Sequence, residues 1–171
     1  MLYRLHIELL DIEPPIWREV IVPASIKLPA LHDLLQIAMG WEDTHLHEFA
    51  FGSVRYGSDA RSEHGVALVD ALGAKRSFEY IYDFGDGWQH AIKVTKVDKP
   101  DPGWHLPFLV DGKRACPPED IGGPWGYLRY LDAIGDPSHE EHEDMLEWGG
   151  DFDPEEFDRD QVNGELVRIG L

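Results

Sequence analysis

Apolar and polar side chains alternate from Leu2 to Leu10. Tyr3, Leu5, Ile7 and Leu9 fall on one face, and Arg4, His6 and Glu8 on the other. Period two marks a half-buried strand. Glu13-Pro14-Pro15 interrupts it, because two prolines cannot continue a hydrogen-bonded ladder. Ile16 to Val22 predicts a second strand, closed by Pro23, and the short connection predicts an antiparallel pair. Leu28 to Met39 changes period: Leu28, Leu31, Leu34, Leu35 and Ala38 follow the spacing of an amphipathic helix. Pro29 suits its first turn and Gly40 the position just past its end. Trp41 is then expected to fold back onto that helix. From His45 to Phe51 the alternation returns, with His45, His47, Phe49 and Phe51 on one face. Residues 52–65 carry turn formers and predict a loop, and Val66 to Leu72 is a short apolar segment whose type the pattern leaves open.

Ser77 to Val97 predicts a hairpin. Phe78, Tyr80 and Tyr82 form one face of its first strand, and Trp88, His90, Ile92 and Val94 one face of its second. Gly85 and Gly87 are expected to supply positive φ angles in the acidic turn. Phe108 to Val110 predicts a short strand turned by Asp111-Gly112. The prolines and glycines of residues 115–126 exclude regular structure and define a rigid irregular loop. Helical spacing resumes at Trp125 and ends at Gly135. Ser138 with Glu141 matches a capping box for a further helix, and Asp153-Pro154-Glu155-Glu156 repeats the start signal. The sum is one α+β domain over residues 1–171. It is sheet-rich over 1–112, with a twisted antiparallel sheet of about five strands, and has an irregular loop and acidic helices over 113–171.

Charge changes this picture at one end. The 171 residues carry a formal net charge of -18, and residues 136–171 hold 13 acids against two bases. Nucleic-acid binders present a basic face, so direct nucleic-acid binding is disfavoured. Cys116 is the only cysteine, which excludes an intrachain disulfide and a cysteine-rich zinc site. No apolar run is long enough to cross a membrane, and no basic-then-apolar leader opens the chain. A cytoplasmic compartment is expected.

The candidate chemistry lies in three segments. If His45 and His47 share a strand face, they stand about 6–7 Å apart and can reach one ion. His90, Asp83 and Asp86 belong to the hairpin. Together the five predict a divalent metal ion as cofactor. Glu119 and Asp120, in the rigid loop, are candidates for general-base chemistry on a metal-bound water. Trp41, Tyr82, Trp88 and Trp125 are candidates to line a ligand pocket. The Asp83-Phe84-Gly85 triplet lacks every other kinase element. No phosphate-binding glycine loop and no GxSxG elbow occurs, and the histidines of His139-Glu140-Glu141-His142 are three apart rather than the four that HExxH needs.

Five motifs occur in order: Met39-Gly40-Trp41, His45-Leu46-His47-Glu48-Phe49, Tyr82 to His90, Cys116 to Gly123, and Asp153 to Phe157. In that order the chain resembles the plasmid pRiA4b ORF-3-like family over nearly its whole length. The resemblance implies an accessory protein of plasmids and mobile elements, sometimes labelled resolvase-like, and carries no catalytic residues with it. The label conflicts with this sequence, because a serine recombinase needs a serine nucleophile among arginines and a basic DNA-binding region. The leading expectation is a non-catalytic module that holds an unknown protein or small-molecule ligand. Its cleft would lie between the His45-Leu46-His47 strand, the Asp83–Trp88 turn and the Pro117–Gly123 loop. The alternatives are a metal-dependent hydrolase using the His/Asp cluster, and an acidic DNA-mimicking interactor.

Overall fold

The first two strands form where their alternation requires. In this computed structural model, which describes residues 1–171, β1 (Leu2–Leu9) and β2 (Ile16–Pro23) pair antiparallel, with Leu5 opposite Val20 and Ile7 opposite Arg18. Helix α1 (Leu28–Met39) follows, and then β3 (His47–Phe51) and β4 (Val54–Gly57). A five-residue helix α2 (Leu68–Leu72) precedes the hairpin of β5 (Ser77–Tyr82) and β6 (Trp88–Lys96). Strand β7 (Phe108–Lys113) and helices α3 (Gly123–Gly135), α4 (His142–Gly149) and α5 (Arg159–Leu166) complete the chain. The seven strands make one sheet in the order β4-β3-β5-β6-β1-β2-β7, and every pairing is antiparallel. No helix is long and apolar enough to cross a membrane.

One face of the sheet is the core. Tyr3, Leu5, Ile7, Phe49, Phe78, Tyr80, Tyr82, Trp88 and Ile92 join the buried stripe of α1 (Leu28, Leu31, Leu34, Leu35) in a single cluster, to which α3 adds Tyr127 and Tyr130 and α5 adds Leu166. Cross-strand register keeps this face continuous: Phe49 lies opposite Tyr80, Tyr80 opposite His90, and His90 opposite Leu9. Each fully buried side chain of this size stabilises the fold by about 1.5–3 kcal/mol before entropy is counted.

Arg18 interrupts the apolar face at β2. It is buried, and its guanidinium donates to the carbonyls of Ala38 (2.7 Å) and Met39 (3.3 Å) at the end of α1, and to those of Trp17 (2.8 Å), Lys113 (3.0 Å) and Arg114 (2.8 Å). The cation thus meets the negative end of the α1 dipole instead of a carboxylate. Burial pushes its pKa down to about 10. One side chain so ties the helix end, β2 and the 113–114 segment together.

The sheet has seven strands where about five were expected. β4 lies inside the presumed loop: Gly52, at φ 62, turns the chain so that Val54–Gly57 pairs with β3, and four mixed residues are too few to display a period. β7 does not turn at Asp111-Gly112 but runs on to Lys113, because Gly112 lets the strand approach the Trp17 carbonyl, where any Cβ would come within 2.9 Å of that oxygen. The Ser138–Glu141 capping box does not form. The Ser138 hydroxyl donates to Asp136 at 2.7 Å, and α4 starts without a side-chain cap. Asp153–Glu156 is a strap and not a helix start: the Pro154 carbonyl accepts from Ala115 N at 3.0 Å and Glu155 accepts from Arg114 at 3.0 Å. α5 begins later, capped by Asp158, whose carboxylate accepts from Gln161 N at 3.1 Å.

Candidate functional site

Three segments converge beside the end of the β5–β6 hairpin. The first is the loop from Trp41 to Leu46. Strand β3 begins only at His47, so His45 precedes the ladder and its ring is free to turn away from that of His47. The second is the hairpin turn. Its left-handed residues are Asp83 (φ 63) and Gly87 (φ 71), not Gly85, and aspartate tolerates that region because its short side chain bonds locally. One carboxylate oxygen of Asp83 accepts from Gly85 N (3.0 Å) and Asp86 N (3.2 Å), which leaves the other facing His45. The third is the Pro117–Gly123 loop. Asp86 fastens it to the turn by accepting from Gly122 N at 3.1 Å, and Gly123 packs so close to the Asp86 carbonyl that a Cβ has no room.

This fastening brings four chemical groups to one point. His45 Nε2 lies 2.7 Å from Asp120 Oδ1, 3.5 Å from Asp83 Oδ2 and 3.6 Å from Glu119 Oε2. One ligand atom from each of the four lies within 4.8 Å of all the others. Glu119 is held in place: Oε1 accepts from Glu42 N at 3.1 Å and from the Tyr82 hydroxyl at 3.1 Å. Asp120 is left-handed (φ 61) and its side chain is 69% exposed, so the centre opens to solvent on that side. Burial lowers the pKa of His45, but the carboxylates of Asp83, Asp120 and Glu119 outweigh it and raise the pKa above the ordinary histidine value. Its Nε2 is nevertheless buried without a well-directed hydrogen bond. The 2.7 Å approach of Asp120 is therefore an ion pair off the ring's donor axis. Three carboxylates share one imidazole, and at most one of those charges is neutralised by it.

The sequence profile of the plasmid pRiA4b ORF-3-like proteins matches residues 1–161. The chain belongs to the plasmid pRiA4b ORF-3-like protein family. It is similar to the uncharacterized protein y4hQ of Sinorhizobium fredii (strain NBRC 101917 / NGR234), with 43% identity over 172 residues, 94% of this chain and 88% of the relative. It is also similar to the crystal structure of MM3350, a protein of unknown function from Methanosarcina mazei Go1, with a TM-score of 0.88 and 38% identity over 94% of this chain and 97% of that one.

The remaining candidates of this pRiA4b ORF-3-like chain lie apart from the centre. His47 turns inward along β3, where its Nε2 bonds Glu63 at 2.9 Å and its ring stacks on His32 at 3.6 Å with planes 12° apart. His32 in turn bonds the Tyr80 hydroxyl (2.7 Å) and Asp43 (2.8 Å), and Tyr80 also accepts from Gln36 at 2.8 Å. Burial and the neighbouring His47 ring lower the pKa of His32. This second histidine centre was missed in the sequence. The signal was a polar residue, His32, inside the apolar stripe of α1. His90 is fully buried: its Nδ1 donates to the Tyr80 carbonyl at 3.0 Å and its Nε2 accepts from Trp41 Nε1 at 3.1 Å. Both ring nitrogens are spent, and burial lowers its pKa to about 4.

The five-residue set His45, His47, His90, Asp83 and Asp86 is therefore corrected. Only His45 and Asp83 meet, Glu119 and Asp120 join them, and Asp86 anchors the loop. The aromatic pocket is corrected as well. Trp41 packs on Tyr82 (5.3 Å between ring centroids) and on Trp88 (5.2 Å), and Trp88 is wholly buried, so these rings fill the core. Of that group only the Tyr82 hydroxyl reaches the centre. Trp125 stands 76% exposed at the start of α3.

Proposed function

We propose that the chain is a ligand-binding module that depends on a divalent metal ion held by His45, Asp83, Glu119 and Asp120. The observation that carries this reading is the meeting of four ligand atoms within 4.8 Å of one another, with the His45 Nε2 buried and poorly bonded. Two ligands of one ion, each about 2.0–2.4 Å from it, stand no farther apart than that. An imidazole with three carboxylates suits Mn²⁺, Fe²⁺ or Zn²⁺, between the all-oxygen sites of Mg²⁺ and Ca²⁺ and the nitrogen-rich sites of Cu²⁺ and Ni²⁺. The ion would neutralise a cluster that one imidazole leaves strongly negative. On the open Asp120 side it would keep coordination positions for an anionic group of the ligand.

The surroundings favour recognition over turnover. Leu46 and Phe84 are exposed, each next in the chain to a residue of the centre, His45 and Asp83. Exposed apolar side chains beside a polar centre are the composition of a binding patch. The hydrolase reading asks Glu119 or Asp120 to act as a free base, but both carboxylate oxygens of Glu119 already engage the Tyr82 hydroxyl, one also accepts from Glu42 N, and Asp120 stands 2.7 Å from His45 Nε2 in an ion pair. Titration of metal-stripped protein with Mn²⁺ and Zn²⁺ by calorimetry tests the proposal. One ion per chain and a rise in melting temperature are expected, with at least tenfold weaker binding in Asp83→Asn and Glu119→Gln. If neither metal binds stoichiometrically, or if both variants bind like the parent, the reading fails.

A further inference from the structure

The hairpin that carries acids at its turn carries cations at its other end. Lys93 and Lys96 lie in the second half of β6, and Lys75 and Arg76 lead into β5. The span from Trp88 to Lys96 is roughly 26 Å at about 3.3 Å per residue. Past the last hydrogen bond between the two segments, from Val94 N to the Arg76 carbonyl at 2.9 Å, lies a cavity of about 590 Å³. Tyr3 and Leu72 contribute apolar lining, Lys75, Arg76 and Lys96 the cations, and Asp98 the one carboxylate. None of the three cations is in an ion pair, in a chain where 33 acids face 15 lysines and arginines. The lining of the cleft thus sets three cations against one carboxylate, a local excess of positive charge in an acidic chain.

We propose that this cleft binds a small phosphorylated ligand, of the size of a nucleotide, independently of the metal centre. The cavity falls in the range of about 300–1,000 Å³ usual for small-molecule sites. Arg76 offers the planar fork that pairs bidentately with a phosphate, and Lys75 and Lys96 offer point charges. The ligand is small and not a polymer for an electrostatic reason. A net charge of -18 repels a polyanion along its whole length, whereas an anion within about 8 Å of the cations is screened from the rest. The end of the Lys75 side chain reaches past Gly52 at the β3–β4 turn, so Arg76 and Lys96 are the cations that the test addresses.

The experiment is calorimetry and thermal shift with pyrophosphate, ADP and a short oligothymidylate, in chelator-treated buffer so that no metal ion bridges phosphate to the acidic end. Pyrophosphate or ADP should bind saturably and raise the melting temperature. Affinity should fall at least tenfold in Arg76→Glu and Lys96→Glu and stay unchanged in Lys113→Glu, a cation on β7 outside the cleft. Tighter binding of ADP than of pyrophosphate puts the nucleoside in the cavity; equal binding means that phosphate alone is recognised. The inference is overturned if neither binds, if the two cleft variants bind like the parent, or if the oligothymidylate binds more tightly than ADP. All these substitutions are at exposed side chains, and a cooperative thermal melt of each ligand-free variant reports that it is folded.

Discussion

His45 and His47 are two residues apart and end in opposite surroundings. His47 meets one carboxylate, Glu63, and the face of His32, and His32 has its own carboxylate and the Tyr80 hydroxyl. There each imidazole has one acid, and the centre is closed in that sense. His45 meets three acids from two loops, and its nitrogen is left without a directed bond. The difference comes from the backbone. His47 is inside the β3 ladder and points into the core beside Tyr80, whereas His45 stands two residues before the strand and follows the loop. The lesson is that a functional histidine is distinguished by how many charges compete for it. Its residue type and its sequence neighbours do not separate it from a structural one.

The largest effect expected concerns pH. His90 is neutral in the fold with a pKa of about 4 against an ordinary 6.5, so the unfolded chain takes up its proton first as pH falls. Stability should decline between pH 6.5 and about 4, by about 3 kcal/mol in the limit of that single group. His45 has the opposite sign. Its raised pKa contributes stability in metal-free protein that is full below the ordinary histidine value and lost as pH rises through the raised one. Denaturant melts across this range, with NMR titration of the two rings, check both. An His90 ring that protonates before His45 would undo the contrast.

Next is the closed centre. Tyr80→Phe removes the hydroxyl shared by His32 and Gln36 and should cost about 1–3 kcal/mol in chemical denaturation, while leaving metal binding at the His45 centre unchanged. A loss of metal affinity in this variant would mean that the two centres are one network. Asp83→Asn is the complement. Asparagine also tolerates φ near 63, and it keeps the bonds to Gly85 N and Asp86 N, so stability should move little while metal affinity falls at least tenfold, about 1.4 kcal/mol. The smallest effect separates the two turn glycines. Gly87→Ala, at φ 71, should cost about 1 kcal/mol in thermal stability, whereas Gly85→Ala, outside the left-handed region, need only displace Asp83 Oδ1, 3.3 Å from the added Cβ, and should cost less.

Much of this was legible in the chain. The alternation of β1, the 3.6-residue stripe of α1 with Gly40 at its end, and the β5–β6 hairpin all follow from local period, because side-chain direction is fixed by backbone geometry within a few residues. The convergence of the His45 segment, the Asp83 turn and the Glu119-Asp120 loop was expected from their polar content, and so was the family. Local signals failed where long-range contacts held the backbone. Ser138 had a nearer partner in Asp136, and Asp153–Glu156 was drawn across the 114–115 segment by Ala115 and Arg114. A capping motif states a preference of about 1 kcal/mol, and two or three tertiary bonds exceed it.

By itself the sequence determined β1, β2, α1 and the β5–β6 hairpin, the sheet's core face and the acidic balance, since these depend on residues close in the chain or on simple counts. Which histidine meets which acid was decided only in three dimensions. His90 went to the core because Trp41 and the Tyr80 carbonyl use both its nitrogens, His47 closed on Glu63, and His45 was left to Asp83, Glu119 and Asp120. The partners in each case are separated by ten or more residues, and an imidazole has only two nitrogens to give. Its role is therefore fixed by whichever groups the folded backbone brings within hydrogen-bond reach.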